Sequence, residues 1–345
     1  MTYHWIGTIM RREMTFVPIL LVGLCFLTVP MSGQQKLAQT GMKFLNVALD
    51  ARAASLGEAF TAVDGNAASM LFNPAGMART HGLASIALGQ VKWIADIKHN
   101  YIAATVSPSD GDYGVLGLMM QTVDYGDLQG TIRSGNGAGY LDIGTFNPKA
   151  TMIGVGYARA LSDKFAVGGA VKWVHQNLGD GIVEALTGGT YLTRKDEAEL
   201  FAFDFGMTYK TGFKSLQFGV VVRNFSKEAR YIDEGFQLPL TFRVGLSMNV
   251  LDLLDVDKEM HTFMLSMDAE HPRDYPERLK MGGEYTFMQI LSLRAGFISL
   301  ADEQKLSYGV GLQKALGPIE LGVDYAFTPF GVFDNVHTFA LRFSF

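Results

Sequence analysis

Hydrophobic and polar residues alternate along most of this chain, from Leu83 to the C-terminus. Alternation with a period of two places successive side chains on opposite faces of a β-strand. In the run 201–209 the odd positions carry Phe, Met or Tyr, and the even positions carry Ala, Asp, Gly and Thr. The same division recurs at 165–173, 240–249 and 319–327. The pattern predicts an antiparallel meander with one bulky apolar face and one face of small and charged residues.

The distribution of side-chain size favours a transmembrane β-barrel over the alternative, a secreted all-β protein. A soluble sandwich would present long Lys and Glu side chains opposite its apolar face, whereas this chain presents Gly, Ala and isolated charges there. Aromatic residues also stand at the ends of runs. Phe165 and Trp173 are eight residues apart, which spans roughly 26 Å of strand and about 20 Å along the membrane normal after tilting. That length suits the apolar band between two aromatic girdles.

The number of alternating runs predicts an all-β transmembrane barrel of about 14 strands, an even number as bacterial single-chain barrels require. Short connections alternate with longer ones at 124–149, 179–198 and 226–237, as expected for periplasmic turns and outer loops. Two connections depart from this rule, because 251–260 is long for a turn and the loop near Ala95 is short. The predicted strands begin near residues 83, 98, 113, 151, 165, 198, 216, 238, 260, 277, 291, 305, 318 and 335.

Composition supports a barrel and excludes several functions. Hydrophobic residues make up 48% of the chain and charged residues 18%, below the roughly 25% charge of soluble domains. No apolar run of helix-spanning length follows the first 30 residues. The formal net charge is −5, and Lys and Arg are scattered singly, so we expect no nucleic-acid partner.

The N-terminus reads as a Sec signal peptide at residues 1–33. Arg11 and Arg12 precede an uncharged apolar run at 15–30, and Ser32-Gly33 supply small residues for cleavage. A twin-arginine signal is the alternative, which the neighbouring Glu13 disfavours. Export predicts location in the outer membrane of a Gram-negative bacterium. The only cysteine, Cys25, lies in this leader, so a cleaved chain would have no thiol for disulfides, metal binding or catalysis.

No motif indicates an enzyme or a cofactor. The histidines never occur at metal-binding spacing, and Gly135–Gly139 lacks the strand-to-helix setting of a dinucleotide site. Asp110-Gly111-Asp112 lacks further acidic ligands for calcium and reads as a turn. We therefore predict no catalytic residue, no cofactor and no metal site.

Because lipid offers no hydrogen-bond partner to a free sheet edge, the sheet must close, and its polar face becomes the lumen. Two interpretations of the ionic residues on that face stay open: a polar path for a solute, or an ion-pair network that packs against the N-terminal segment. Mixed signs favour the network. The lumen-lining candidates are Asp204, Arg243, Asp268, Lys280, Glu284, Arg294, Asp324 and Arg342.

The segment before the first strand predicts a different element. Residues 34–82 lack alternation, are rich in alanine, and contain Asn73-Pro74-Ala75-Gly76, where Pro74 ends a helical run and Gly76 permits a sharp turn. We predict a helical or irregular plug at 34–82, followed by the barrel at 83–345. The last strand ends on Phe343 and Phe345, an aromatic end that resembles the signal read by barrel-assembly machinery.

The stretch 42–78 resembles the amino-terminal signature of the PorV/PorQ family of outer-membrane proteins. The shared elements are Phe44-Leu45, Ala51-Arg52-Ala53, Gly57-Glu58-Ala59-Phe60 and Asn73-Pro74-Ala75-Gly76. Ser55-Leu56 stand where that family has glycine-rich sequence. The shorter FNPAGM at 72–77 is also similar to FadL-type transporters.

The resemblance implies a fourteen-stranded barrel with a plug, working with the type IX secretion system and binding machinery subunits or the sorting domains of exported cargo through its outer loops. The alternative function is a FadL-like channel for hydrophobic small molecules. A channel needs an apolar pocket beside the plug and an opening, whereas a secretion shuttle can stay sealed. In either case we expect outer-membrane lipid and the assembly machinery as partners.

Overall fold

The computed structural model describes residues 40–80, 82–185, 191–231, 234–301 and 303–345. The predicted signal peptide at 1–33 lies outside the described residues, as do residues 34–39 of the predicted plug. No helix among the described residues has both the length and the apolar character needed to cross a membrane.

Within the described ranges, 14 strands form one closed antiparallel barrel, as the alternation predicted. The barrel closes where β1 pairs with β18, with Leu88 opposite Leu341. Two short hairpins, β4–β5 and β10–β11, lie outside the barrel sheet. The strands are β1 (Ala84–Lys92), β2 (Lys98–Val106), β3 (Val115–Asp124), β4 (Leu128–Arg133), β5 (Tyr140–Phe146), β6 (Lys149–Ala160), β7 (Phe165–Ala185), β8 (Tyr191–Lys210), β9 (Gln217–Ser226), β10 (Ala229–Arg230), β11 (Gly235–Phe236), β12 (Thr241–Asn249), β13 (His261–Pro272), β14 (Arg278–Phe287), β15 (Leu291–Ile298), β16 (Leu306–Leu316), β17 (Ile319–Thr328) and β18 (Val336–Ser344).

Most strands begin within two residues of the predicted positions, and two do not. The strand predicted near 198 begins at Tyr191, because β7 and β8 continue as a two-stranded hairpin beyond the last β6 pair, Lys149 with Asn177. The strand predicted near 238 begins at Thr241. Pro239 has no N–H to donate to a ladder, so the regular pairing starts after it.

The two ends of the barrel differ in the length of their connections. At one end, which we call the turn end, the strands are joined by the connections 107–114, 161–164, 211–216, 250–260, 288–290 and 317–318. We call the opposite end the loop end. The longest loop-end connections hold β4–β5, the β7–β8 hairpin and β10–β11. Val250–Leu253 form a short 3₁₀ helix in the one long turn. By the general rule for outer-membrane barrels, we expect the turn end to face the periplasm.

Side chains divide between the two faces of the wall as the sequence predicted. On β8, Phe201 is 60% exposed to the surroundings, whereas Ala202 is fully buried and Asp204 is 2% exposed. The large side chains that are buried most completely lie between the wall and the N-terminal segment, and they include Leu56, Phe60, Met70 and Met77. The core of the molecule is therefore inside the barrel, where residues 40–80 pack against the wall.

Candidate functional site

The N-terminal segment traverses the lumen from the loop end to the turn end; we call its described residues, 40–80, the plug. At the loop end, Gly41 N–H donates to Gln237 O (3.1 Å), and the Thr40 hydroxyl donates to Asp274 (2.8 Å). At the turn end the plug leads into β1, which begins beside the C-terminal Phe345. Short helices break its course: α1 (Ala51–Ser55) and 3₁₀ helices at Lys43–Asn46, Ala67–Leu71 and Pro74–Arg79.

Asn73 of the Asn-Pro-Ala-Gly motif binds the plug to itself and to the wall. Its Oδ1 accepts from Ala75 N–H (3.1 Å), which caps the last 3₁₀ helix, with Pro74 at the first helical position. Its Nδ2 donates to Thr61 O (2.8 Å) within the plug and to Met207 O (3.2 Å) on β8. Asn73 is completely buried. The amide also reaches Val220 O (3.5 Å) on β9, so the motif joins two turns of the plug to two strands of the wall.

Glycines of the wall let the plug approach closely on β3, β6 and β7. A Cβ atom at Gly168 would lie 2.6 Å from the Ala75 backbone nitrogen, and one at Gly156 would lie 2.8 Å from the Met77 side chain. Gly117 likewise faces Met70 and Met77. We call this contact of plug methionines with wall glycines, together with Met119 and Met152 beside it, the seam. Apolar contact and small residues hold the plug here.

Ion pairs hold the plug on the opposite side. Glu58 of the plug lies 2.7 Å from Lys280 Nζ on β14 and 3.5 Å from Arg243 on β12. Glu270 on β13 pairs with the same two cations, at 2.7 Å from Arg243. All four side chains are less than 10% exposed. The four groups carry balanced charge, two positive and two negative, as a buried cluster requires.

A second ionic chain begins at Arg52 of the plug. Its guanidinium binds Glu284 on β14 through two hydrogen bonds, of 2.8 and 2.5 Å. The chain continues from Glu284 to Arg294, from Arg294 to Asp324 (2.6 Å), and from Asp324 to Arg342 (2.8 Å). Signs alternate at every step, so each buried charge has an opposite neighbour. The two networks together fix the plug to the sector β12–β18.

Asp268 on β13 attaches the plug without an ion pair. Its Oδ2 accepts the backbone N–H groups of Phe60 (3.1 Å) and Thr61 (3.0 Å) and the Thr61 hydroxyl (2.6 Å). Hydrogen bonds from N–H and O–H groups to a carboxylate are stronger than neutral ones. This residue holds the middle of the plug against the same sector as the ionic networks.

The pKa values of the plug's own ionic groups follow from these contacts. Burial acts to raise the pKa of Glu58, but the charges of Lys280 and Arg243 outweigh it, and the pKa is lowered. Burial acts to lower the pKa of Arg52, but Glu284 outweighs it, and the pKa is raised. Both groups therefore stay charged at neutral pH. Burial, with the neighbouring Asp324 carboxylate, raises the pKa of Asp50.

The structure brings the eight lumen-lining candidates into the lumen and joins seven of them in ion pairs, while Asp268 binds the plug backbone. Sequence reasoning missed Arg52, Glu58 and Glu270. Glu270 lies two residues after Asp268 on β13, so alternation with a period of two places both side chains on the lumen face. Glu270 could therefore have been predicted from the sequence. Arg52 and Glu58 lie in the plug, where no periodicity marks a face.

Two cavities of unequal size lie beside the plug, at different depths in the described part of the lumen. The turn end holds a polar cavity of about 860 Å³, the vestibule, lined by plug residues 62–66 and by Asp163, Lys164, Lys214, Glu284 and Arg294 among others. Towards the loop end lies the outer pocket, of about 10 Å³, which is the size of one water molecule. Its lining is mostly apolar and includes Leu49, Phe72 and Met152. The described lumen is therefore closed by the plug.

Polar attachment of the plug is unequal around the barrel. Among the described residues, β3, β6 and β7 give the plug one side-chain hydrogen bond, from Gln121 Nε2 to Phe44 O (3.1 Å), and no ion pair. The sector β12–β18 gives it the ion pairs of Arg52 and Glu58 and the hydrogen bonds to Asp268. The plug is thus anchored on one side and in apolar contact on the other.

Comparison with known proteins shows the fold. No protein-family model matches the chain, and no curated protein sequence matches it. Solved structures do: the toluene transporter TbuX of Ralstonia pickettii superimposes with a TM-score of 0.57 at 15% identity, over 86% of this chain and 98% of that chain. The toluene transporter TodX of Pseudomonas putida gives 0.55 at 12%, over 90% and 98%. The monoaromatic hydrocarbon channel CymD gives 0.54 at 13%, over 87% and 98%.

These likenesses show the fold, a closed antiparallel β-barrel, which in this chain has 14 strands. The three neighbours are described as transporters or channels. At this identity the comparison shows the fold, and neither PorV/PorQ membership nor a part in secretion follows from it.

Proposed function

We propose that this chain is a non-enzymatic, plugged channel of the outer membrane that passes hydrophobic small molecules. The observation that carries the proposal is the seam. It begins at Met119 and Met152, which line the outer pocket, and continues along Met70 and Met77. The helix of Met77 ends at Arg79, which donates to the backbone of Asp163 (3.4 Å) in the vestibule lining. A packed apolar contact thus extends from the outer pocket towards the vestibule, and a path would open where this contact separates.

The energetics favour opening at the seam. Removing one partner from a buried ion pair costs about 3–5 kcal/mol. The ion pairs therefore oppose separation of the plug from the sector β12–β18. At the seam, an apolar ligand replaces the contacts that the methionines lose. Methionine side chains are unbranched and flexible and adapt their shape to different partners. The plug can therefore tilt away from β3 and β6 while Arg52 and Glu58 keep their pairs.

The remaining assignments belong to the same proposal. Export by the residues 1–33 leader delivers the chain to the outer membrane, where Phe343 and Phe345 serve as the assembly signal and the exposed wall contacts lipid. The descriptions of TbuX, TodX and CymD as toluene or monoaromatic hydrocarbon transporters and channels support a hydrophobic cargo of small size.

A reversible disulfide cross-link across the seam tests the channel function. Met77 Sδ lies 2.7 Å from the place of a Cβ atom at Gly117, so Met77→Cys with Gly117→Cys brings two thiols to this contact, and titration of free thiols after oxidation measures how much disulfide each pair forms. The matched control is Ser55→Cys with Ser307→Cys on the anchored side, where Ser307 Oγ donates to Ser55 O (3.2 Å). The assay is entry of the dye N-phenylnaphthylamine into intact expressing cells, measured by fluorescence under oxidising and reducing conditions.

We expect expression to speed dye entry, oxidation of the seam pair to abolish the gain, and reduction to restore it. Oxidation of the control pair should leave the rate unchanged. Dye entry that equals that of cells without the protein contradicts the channel function. Loss of entry with both pairs contradicts a path at the seam but not a channel.

A second candidate is the secretion-associated function that the PorV/PorQ resemblance implies. The closed lumen and the β7–β8 hairpin beyond the barrel favour it, because a shuttle needs outer binding surfaces and no path. Its test is a pull-down from solubilised outer membranes with a tag near Gly135, in the β4–β5 connection. Recovery of secretion-machinery subunits or of cargo sorting domains would favour this candidate, and recovery of the barrel with lipid alone would oppose it.

A further inference from the structure

The outer face of the wall changes character towards the loop end on four neighbouring strands, β1, β2, β3 and β6. Residues that stand directly opposite one another across these strands form rows. One row is apolar and exposed, and it consists of Leu88, Ile102, Met120 and Ile153. Four residues away along each strand, at the last pairs before the loop end, the charged row consists of Lys92, Lys98, Asp124 and Lys149. Both rows face outward, because residues that alternate with them, such as Val91 and His99, are buried.

The charged row lies at the edge of the lipid-facing band. On β6 the outward residues Ile153, Val155 and Tyr157 are exposed and apolar, and Lys149 and Arg159 stand on either side of them. Lys149 and Arg159 are ten residues apart, which is roughly 33 Å of strand and about 25 Å along the membrane normal after tilting. An outer-membrane barrel has an apolar band of about that height. The charged row is therefore at the level of the lipid head groups at the loop end.

The lysines of the charged row are not neutralised by the protein. Lys92 and Lys98 stand directly opposite each other, and like charges in that position are destabilising. Asp124, the carboxylate of the row, accepts from Gly126 N–H (2.9 Å). Within the described ranges none of the three lysines forms an ion pair, either with Asp124 or with Asp96 in the loop between β1 and β2. All three lysine side chains are exposed, so an anion can reach them from the membrane.

The surface between the two rows supplies hydrogen-bonding groups without charge. Gln90 Nε2 donates to Asn100 Oδ1 (2.7 Å), and Thr122 and Thr151 stand in the same row. From the loop end inwards the wall therefore offers cations, then amide and hydroxyl groups, then hydrocarbon. A glycolipid with a charged sugar head group presents complementary parts in the same order.

Phosphate is the anion that suits this arrangement, because lysine ammonium groups bind it as flexible point charges. Lys92 and Lys149 lie three strands apart, roughly 14 Å, so one head group with two phosphates can contact both ends of the row. We propose that the charged row binds the phosphates of the glycolipid of the outer leaflet, lipid A, while the apolar row contacts its acyl chains. The site lies outside the barrel and does not depend on the channel function. It rests on the expected orientation, in which the loop end is at the outer leaflet.

The test measures binding of lipid A to the full chain in detergent, by native mass spectrometry over a titration. The probes are lipid A with two phosphates and the same lipid after removal of both. The row variant combines Lys92→Gln, Lys98→Gln and Lys149→Gln. The matched control removes three exposed cations at the turn end and combines Arg159→Gln, Lys164→Gln and Lys314→Gln. A third variant, Asp124→Asn, removes the carboxylate of the row, and heat-modifiable migration in gels establishes that each barrel is folded.

We expect the wild type and the turn-end control to bind the phosphorylated lipid at least about tenfold more tightly than the dephosphorylated one. The row variant should lose that preference, and Asp124→Asn should bind the phosphorylated lipid about fivefold more tightly than the wild type. Equal binding of both lipids by the wild type overturns the site, and so does a preference that survives in the row variant or is lost equally in the control. If the row variant does not fold, unchanged binding by Asp124→Asn overturns the site. Each of these outcomes leaves the channel function standing.

Discussion

Asn73 provides a quantitative test of how the plug is held. Its carboxamide presents an acceptor to Ala75 N–H and a donor to Thr61 O and to Met207 O, and it is completely buried. Asn73→Ala removes both functions, whereas Asn73→Asp keeps the acceptor and replaces the donor with a carboxylate oxygen. The pair of substitutions thus separates capping of the 3₁₀ helix from attachment to the carbonyl groups.

The magnitude follows from the groups left without partners. Truncation to alanine leaves the Ala75 N–H and the Thr61 carbonyl without hydrogen-bond partners in a buried site. Each unpaired buried group lowers the free energy of unfolding by about 1–3 kcal/mol. We therefore expect Asn73→Ala to lower the free energy of unfolding by about 2–6 kcal/mol. Asn73→Asp should cost at least as much, because its charge faces two carbonyl oxygens.

Asn66 is the matched control, since it caps the preceding 3₁₀ helix through Ser69 N–H (3.1 Å) and makes no hydrogen bond to the wall within the described ranges. Asp and Asn are about equal as helix caps, so Asn66→Asp should have little effect. The assay is urea unfolding of the barrel in lipid vesicles, followed by fluorescence of Trp93 and Trp173. Wild-type stability of Asn73→Asp would refute the view that the amide donor holds the plug.

Three further predictions concern the anchored side, the seam and the orientation. Folding lowers the pKa of Glu58 below 4.5, so the ionised side chain stabilises the fold above that pH, and this contribution is lost as pH falls through the folded pKa. The loss of unfolding free energy caused by Glu58→Gln should therefore be smaller in acid than at neutral pH. A loss that does not depend on pH would contradict the ion pairing of Glu58. Gly168→Ala should destabilise the barrel by about 1–3 kcal/mol, because the added Cβ overpacks against the plug backbone. Gly169→Ala should destabilise it less, because the nearest atom to its Cβ, Asp204 O, would lie at an ordinary contact distance of 3.5 Å. Equal losses of unfolding free energy in the same assay would disprove the close contact at Gly168. Val332→Cys at the loop end, 87% exposed, should react with an impermeant maleimide on intact cells and Phe213→Cys at the turn end should not, and the reverse labelling would invert the orientation.

The sequence was sufficient for the wall because alternation is a local property. A lipid-facing position and a lumen-facing position differ in size and polarity at every second residue, so β8 could be assigned face by face from 201 to 209. The start of β8 was missed because residues 191–196 pair with β7 beyond the last β6 pair, in a hairpin outside the barrel. The β4–β5 and β10–β11 hairpins escaped prediction for the same reason.

A β-bulge on β9 shows where a period-two reading fails. Strict alternation from Val222 would put Phe225 on the same face as Arg223, inside the lumen. In the structure Phe225 is 56% exposed on the outer face, because Asn224 inserts one residue and shifts the phase. A bulge is set by the backbone conformation of a single residue and by its hydrogen bonds across strands, which a one-dimensional pattern does not contain.

The partners of the plug residues could not be predicted from the sequence, for a different reason. Alternation identified which ions face the lumen, but the choice of partners depends on the stagger between strands and on where the plug crosses them. Arg52 and Glu58 occupy a segment without periodicity, and they meet residues more than 180 positions away. Mixed signs on one face predicted a network, and only the fold determined its members.

The two candidate functions place opposite demands on the seam, and this difference carries the argument for a channel. A shuttle with a fixed plug gains from anchors on every side, and the wall supplies ionic anchors readily on β12–β18. On β3, β6 and β7 the wall presents Gly117, Gly156 and Gly168 to the plug, and Gly117 and Gly156 face the side chains of Met70 and Met77. Glycine within a strand weakens it and gives no side-chain packing. Gly282, Gly296 and Gly309 approach the plug closely on the anchored side as well. The seam differs in having flexible methionines in place of ionic anchors, which suits a contact that opens.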